Sequence, residues 1–285
     1  MKDKKIILGL VSETNEYFVN QSKLCLSSFR RNAGELKDVP ILFVTNNNEL
    51  EPEDKKFFID NFSPITFIVK ERINIINTAS KFNIFNSIAK EDYDIMLFLD
   101  CDTVVVGALD GMLQPIINGD CQFLCRRGGD SDRAAFVDID NTLNYLGGDK
   151  SECLVDGERP RFNTGVFALE SKVADKLNKT GLEVLYKILN KYHVRNPHYG
   201  EQCAIALACA LENIQVKYLD EIYNSWGNLE NIKILHCFKS RYKFNRKNMF
   251  ENFDKWKYNY GSIIGERLLI QEVEKFIKEK NILHA

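Results

Sequence analysis

Lys5–Val11, Val39–Thr45, Ile65–Val69 and Ile95–Leu99 are short, strongly apolar runs closed by polar residues, the pattern of strands buried on both faces. Between them the apolar period changes. Asn15–Arg31 places Phe18, Leu24, Cys25, Ser28 and Phe29 at helical spacing and stops at Asn32-Ala33-Gly34. A second helix starts at Pro52, a residue suited to a first helical turn, and Thr78–Ala89 reads as a third. The resulting β-α-β-α-β-α-β order predicts an α/β fold, Rossmann-like, with a mainly parallel sheet flanked by helices. Such sheets bind ligands beyond the carboxyl ends of their strands, which places candidate chemistry after Val11 and after Leu99.

After residue 100 the pattern becomes mixed. Cys121–Cys125 predicts a strand, and residues 126–160, rich in Gly, Asp and Arg, read mainly as loop, either an acceptor-side lid or an inert surface loop. Phe162–Leu169 reads as a strand, Ser171–Tyr192 as a long helix and Glu201–Leu211 as an apolar helix. Strands follow at Ile214–Leu219 and Ile232–Cys237, and Glu266–Lys280 is an amphipathic helix. No repeat or low-complexity linker interrupts the chain. The organisation expected is one domain over residues 1–245 with a helical extension over 246–285.

Composition narrows the function classes. Lys plus Arg number 38 and Asp plus Glu 40, a net charge of −2 that argues against a general nucleic-acid binder. With 45% hydrophobic and 27% charged residues, disorder, collagen and coiled coil are poor fits. Ile6–Val11 falls far short of the ~20 residues of a membrane span. Lys2, Lys4 and Lys5 mimic a signal-peptide start, but the apolar stretch is too short for one, so a mature cytoplasmic N-terminus is expected. The eight cysteines form no C-x-x-C pair and read as buried thiols in a reducing compartment. Cys121 and Cys125, four apart on an expected strand, should share one face.

The most informative segment is Ile95–Thr103, where a buried strand delivers Asp100 and Asp102 just as it ends. Two carboxylates at an apolar rim repel each other and are costly to desolvate, and a divalent cation removes both problems. Oxygen ligands suit Mg²⁺ or Mn²⁺. His236, at the end of the apolar run Lys233–Leu235, is a candidate third ligand, and an imidazole favours Mn²⁺ over Mg²⁺. A strand end facing water, and a structural histidine, are the bland alternatives.

Phe98-Leu99-Asp100-Cys101-Asp102-Thr103-Val104-Val105 resembles the D-x-D segment of nucleotide-sugar glycosyltransferases of the GT-A fold, more narrowly the family 8 group that includes glycogenin and bacterial lipooligosaccharide galactosyltransferases. Further segments agree in order. Leu10-Val11-Ser12-Glu13 with Tyr17 resembles the nucleoside-binding end of the first strand, and Thr78–Phe82 the helix that brings a basic residue to the donor. Phe162-Asn163-Thr164-Gly165-Val166-Phe167 is similar to F-N-[AST]-G-V, and Tyr199-Gly200-Glu201-Gln202 to the acidic-Gln pair. His236 stands where the family has its third metal ligand. The chain departs from the pattern after His236, where a Gly and a Pro-Trp are missing, at Lys81 in place of Arg, and at Glu201 in place of Asp.

The resemblance implies a metal-dependent hexosyltransferase that uses a nucleoside diphosphate sugar, a UDP-sugar by kinship, on a glycan, lipid or protein acceptor, with retention of configuration. It implies Mn²⁺ or Mg²⁺ held by Asp100, Asp102 and His236, and donor contacts from Leu10, Ser12, Glu13, Tyr17, Lys81, Asp100, Cys101, Asn163, Gly165, Lys239 and Lys243. Glu201 and Gln202 are the implied catalytic pair; Glu201 as nucleophile, base or electrostatic partner remains open. Asn163 is expected on sugar hydroxyls or the acceptor, and Gly165 at a close backbone approach. Residues 239–257 carry seven basic against two acidic residues with interleaved aromatics, which suits peripheral contact with an anionic membrane and equally a solvated basic face. Asp100-Cys101-Asp102-Thr103-Val104 also fits the D-x-D-x-[TV] of haloacid-dehalogenase-type phosphatases, whose site follows the first strand. A sugar-nucleotide pyrophosphorylase, whose Gly-rich loop with a basic residue is lacking at Leu10–Asn15, and a non-catalytic sugar-nucleotide or glycan-binding module are the other rivals.

Overall fold

A computed structural model describes residues 4–74, 76–128, 144, 146–147, 155, 160–191, 200–225, 229–236 and 264–280. The elements in chain order are β1 (Ile6–Ser12), α1 (Glu16–Asn32), β2 (Ile41–Asn46), α2 (Pro52–Phe62), β3 (Ile65–Lys70), β4 (Ile95–Leu99), β5 (Thr103–Val105), α3 (Gln114–Ile117), β6 (Phe123–Arg127), β7 (Phe162–Glu170), α4 (Ser171–Lys191), α5 (Gly200–Leu211), β8 (Val216–Leu219), β9 (Ile234–His236) and α6 (Ile264–Lys280). Local chemistry sets several boundaries. Asn15 caps α1 by accepting from the Phe18 N–H, and Pro52 opens α2 where its missing N–H costs nothing.

Seven strands form one sheet in the order β3-β2-β1-β4-β7-β6-β8. β1 pairs in parallel with β2 and β4, and β2 with β3, while β7 runs antiparallel to both β4 and β6. The sheet is thus mixed and mainly parallel, flanked by helices. Alternate residues of β1 serve different cores: Ile6, Leu8 and Leu10 pack with α1 and α2, whereas Ile7 joins Met96, Phe98 and Phe167 under α4 and α5. Both faces are covered, which is why these strands read as unbroken apolar runs. The rings of Phe98 and Phe167 stack at 4.5 Å with an interplanar angle of 11°; such pairs add about 0.5–1.5 kcal/mol beyond their area.

The chain order reverses beside β1, with β2 and β3 on one side and β4 on the other. That switch point opens a crevice past the strand ends, bounded by Ser12 at the end of β1 and Asp100 after β4. A second small sheet pairs β5 with β9 antiparallel, in the register Thr103↔His236. Behind it lies α6: Leu269, Val273 and Phe276 pack with Leu24, Val104 and Leu235. Arg31 on α1 bonds Glu272 and Glu279 of α6, and Asn32 bonds both Glu272 and the Val105 carbonyl. The C-terminal helix therefore braces the hairpin-like pair that carries His236. The expected boundary between residues 245 and 246 lies outside the described residues.

Two local expectations are corrected. Residues Asn77–Asn86 form a 3₁₀ helix, not an α-helix. The stretch is rich in Asn, Thr and Ser, weak helix formers. Lys81 and Asn83 are also tied to neighbouring strands, which holds the tighter winding. Cys121 precedes β6 and packs in the core of α1 and α2, whereas Cys125 packs in the opposite core, so the two thiols do not share a face.

Candidate active site

The crevice is about 450 Å³ and is lined by Ser12, Glu13 and Tyr17 from the first βα connection, Ser80 and Lys81 from the 3₁₀ helix, and Asp100, Cys101 and Asp102 after β4. Gly165, Glu201, Gln202 and His236 close its other wall. Backbone pairing brings the distant pieces together. The Asp100 N–H donates to the Gly165 carbonyl at 2.8 Å, continuing the β4–β7 ladder one step past Leu99↔Val166. The Thr103 N–H and hydroxyl both donate to the Asp100 carbonyl, at 3.0 and 2.8 Å, which folds the Asp100–Asp102 turn back so that Thr103 can pair with His236.

Asp100, Asp102 and His236 offer ligand atoms that all lie within 4.8 Å of one another. His236 Nε2 is 3.3 Å from Asp102 Oδ1 and 3.9 Å from Asp100 Oδ2. Two hard carboxylates and one imidazole, open to the crevice on the carboxylate side, fit a Mn²⁺- or Mg²⁺-type cation. Among the described residues this is the one group of three such side chains.

Next to it, Lys81 is nearly buried and fully engaged. Its ammonium lies 3.1 Å from both Asp100 Oδ1 and Glu201 Oε1, and it donates to the Thr164 carbonyl at 2.9 Å. The Thr164 hydroxyl donates to the same Glu201 oxygen. Glu201, in the first turn of α5, is 1% exposed. Its other oxygen, Oε2, is buried without a hydrogen-bond partner, as are Gln202 Oε1 and Ser80 Oγ. Unpaired buried acceptors are costly, so three of them around one crevice mark places where a ligand would donate. At the ends of β1 and β2, Asn83 donates to Asn46 Oδ1 at 3.1 Å, and Arg72 lies 3.8 Å from Glu13.

Two sequence-predicted residues, Leu10 and Asn163, do not line the crevice. Leu10 is fully buried in the core beneath α1, and its neighbours Val11 and Ser12 line the crevice instead. Val11 points to the opposite face of β1 from Leu10, and Ser12 reaches the crevice because it stands at the strand's end. Asn163 is 4% exposed and does not line the crevice; its Oδ1 accepts from the Gly165 N–H and from Asn224. Gly165 does line it, and a side chain added there would meet the His236 ring. Lys239 and Lys243, like Tyr199 and the segment 239–257, lie outside the described residues. Sequence reading missed Thr164, Ser80, Asn224 and Arg126; Thr164 and Ser80 had a signal, since they sit inside the F-N-x-G-V segment and the Thr78–Phe82 segment.

Protons would compete with a bound cation for these atoms. Burial pushes the Asp100 carboxyl up to about 6, against the pull of Lys81. Burial lowers His236, but Asp102 and Asp100 outweigh it and the imidazole titrates above its ordinary value. Both folded-state values are raised. In the metal-free protein their contribution to stability is therefore present at low pH and lost as pH rises through those values. Metal ligation has the opposite sign, because it needs Asp100 ionised and His236 neutral. The rise in melting temperature produced by Mn²⁺ should therefore be largest above neutrality and fade as pH falls through about 6. Differential scanning fluorimetry across pH with and without Mn²⁺ measures this, and a pH-independent increment would contradict it.

The sequence model described as glycosyl transferase family 8 matches residues 12–255. No curated protein matches the chain. Among solved structures, the galactosyltransferase LgtC in complex with donor and acceptor sugar analogues superposes with a TM-score of 0.56 at 16% identity, over 90% of this chain and 96% of that one. Mouse xyloside xylosyltransferase 1 in its apo form gives 0.53 at 15%, covering 81% of this chain and 96% of that one. GlyE of Streptococcus pneumoniae gives 0.52 at 16%, covering 96% and 64%. At such identities these neighbours speak for the fold, which is GT-A. With a family match running through the crevice, from the end of β1 to beyond His236, the chain belongs to glycosyl transferase family 8 and is a glycosyltransferase.

Proposed function

We propose that the protein moves a hexosyl group from a nucleoside diphosphate sugar, a UDP-sugar, to a hydroxyl of a glycan, glycolipid or protein, with Mn²⁺ preferred over Mg²⁺ and with retention of configuration. One observation carries the reading: a cation triad and two unpaired buried acceptors, Glu201 Oε2 and Gln202 Oε1, face the same crevice. Such a donor has both complements, a diphosphate for the cation and hydroxyl donors for the acceptors. UDP and retention rest on the family resemblance.

The bond between the anomeric carbon and the diphosphate breaks as the acceptor oxygen bonds to that carbon, and the acceptor's proton passes to the departing diphosphate. Negative charge grows on the leaving group and positive charge on the ring. When bound, the cation would neutralise the first. The second falls to oxygen atoms fixed beforehand. Glu201, which lines the crevice, is held by Lys81 and Thr164 through Oε1, which leaves Oε2 unpaired, and Gln202 adds its unpaired carboxamide oxygen. Burial lowers Lys81, but Asp100 and Glu201 outweigh it, so the ammonium stays charged and keeps both carboxylates in place.

Thermal-shift titration with UDP-, GDP- and ADP-sugars, with and without Mn²⁺, tests the reading. One donor should raise the midpoint only when the cation is present, and the chain should then release free nucleoside diphosphate in a chelator-sensitive way. If no nucleoside diphosphate sugar shifts the Mn²⁺-loaded protein, the proposal fails. Glu201→Gln should lower kcat about 10²-fold with little change in KM for the donor; an unchanged kcat would remove Glu201 from the mechanism.

Neither a phosphatase nor a binding-only role draws support from the family match. We place the protein in the cytoplasm, supported by its buried free thiols. Among the described residues no helix is long and apolar enough to cross a membrane. Contact of segment 239–257 with anionic lipid is proposed on its charge and aromatic pattern alone.

A further inference from the structure

We propose that Asn224, backed by Asn163, is a positioning residue that holds His236 in its Nδ1–H form and aims the Nε2 lone pair at the cation site. The inference deepens the metal reading above and rests on it. The hydrogen-bond directions follow from a group that cannot be reversed. The backbone N–H of Gly165 only donates, and it meets Asn163 Oδ1 at 3.1 Å. The Asn163 carboxamide must therefore turn its oxygen toward Gly165. The same oxygen lies 2.9 Å from the side chain of Asn224, which must present its NH₂ there, since an oxygen would face an oxygen. Asn224 Oδ1 is left pointing at His236 Nδ1, 2.9 Å away. A carboxamide oxygen has no proton to give, so Nδ1 carries one. Neutral imidazole has a single N–H, and the lone pair stays on Nε2. Nε2 is the atom that faces Asp102 at 3.3 Å and Asp100 at 3.9 Å.

The relay is rigid as well as directional. Asn224 is fully buried, and Asn163 and His236 are each 4% exposed. Arg126, also buried, donates from Nη1 to the Asn224 carbonyl at 2.7 Å. The next residue is threaded into β9: the Ser225 N–H bonds the Ile234 carbonyl at 2.9 Å, and its own carbonyl accepts from the His236 N–H at 2.8 Å. Side chains from β6 and β7 thus fix Asn224, the loop residue that meets Nδ1. A partner on the second ring nitrogen of a metal-binding histidine sets its tautomer and orientation.

The first test uses the metal-free wild-type chain. Long-range ¹H–¹⁵N correlation at alkaline pH, with His236 signals identified by their loss in His236→Gln, shows which ring nitrogen bears the proton. Nδ1 is expected; a proton on Nε2 overturns the proposal whether or not a cation binds. Calorimetric titration with Mn²⁺ then separates positioning from packing. Asn224→Leu, branched in the same way but without an acceptor, should bind Mn²⁺ about 10–100-fold more weakly. Asn224→Asp keeps the acceptor for Nδ1–H and gives up the bond to Asn163, so it should keep most of the affinity at some cost in stability. Wild-type affinity in Asn224→Leu, or equal losses in both variants, overturns the proposal. If Asn224→Leu does not fold, the wild-type tautomer and Asn224→Asp decide. A wild-type chain that binds no Mn²⁺ would instead sink the metal reading, while the tautomer result stands by itself.

Discussion

Asp102→Asn should lower glycosyl transfer by about 10³-fold and leave the melting temperature of the metal-free protein within a few degrees of wild type. The side chain is 24% exposed, and its contact is with His236, 3.3 Å from Nε2. Little of the fold depends on it, since the Asp100–Thr103 turn is closed by backbone and Thr103 hydroxyl bonds. The substitution conserves shape and removes one of the two negative charges that balance a divalent cation against the diphosphate. In the metal-free state it also relieves repulsion between two carboxylates at one rim. Chemistry and stability should therefore separate. Initial transfer rates over a Mn²⁺ series, with and without chelator, and melting curves of both forms measure the separation. Wild-type activity that ignores chelator would refute a metal role for the aspartate pair.

The sequence exposed the frame of the site better than its supports. Apolar runs located β1, β2, β3 and β4 to within two residues: β1, β2 and β4 are buried on both faces, and the half-exposed edge strand β3 keeps an apolar run broken only by Thr66. The terminal Asp-x-Asp then marked the rim. What the pattern does not carry is the partner across a gap in sequence. β9 has three residues, and its register against β5 depends on α6 packing behind both. The 3₁₀ helix over Asn77–Asn86 escaped for a related reason: its winding answers to ties at Lys81 and Asn83, not to its own period. Asn163 was expected to touch substrate and instead meets Asn224, a loop residue that sits in no periodic pattern. Leu10 lies inside β1 and is fully buried, whereas Ser12 at the strand's end reaches the crevice.

Gly165→Ala is the smallest change from which a large effect is expected. Gly165 is not among the glycines with positive φ, so an alanine there meets no backbone obstacle. The obstacle is space. A methyl at residue 165 would lie 2.1 Å from His236 Cε1 and 2.6 Å from Nδ1. Neither side can yield cheaply. β7 is fixed at this point by the Asp100 N–H on the Gly165 carbonyl at 2.8 Å, and by the Gly165 N–H on Asn163. The ring is held by Asn224 at Nδ1, and its backbone pairs with Thr103. The added methyl must therefore push the imidazole off the axis that aims Nε2 at Asp102. Overpacking of this kind costs about 1–3 kcal/mol, and a displaced ligand should weaken Mn²⁺ binding by about 100-fold. Excess Mn²⁺ should recover part of the activity of Gly165→Ala, because its charges are intact, whereas in Asp102→Asn the missing charge is not replaced by mass action. Calorimetric titration and rate measurements over the same Mn²⁺ range distinguish the two. Wild-type Mn²⁺ affinity in Gly165→Ala would mean that the ring is free to move, and the glycine would then have no part in shaping the cation site.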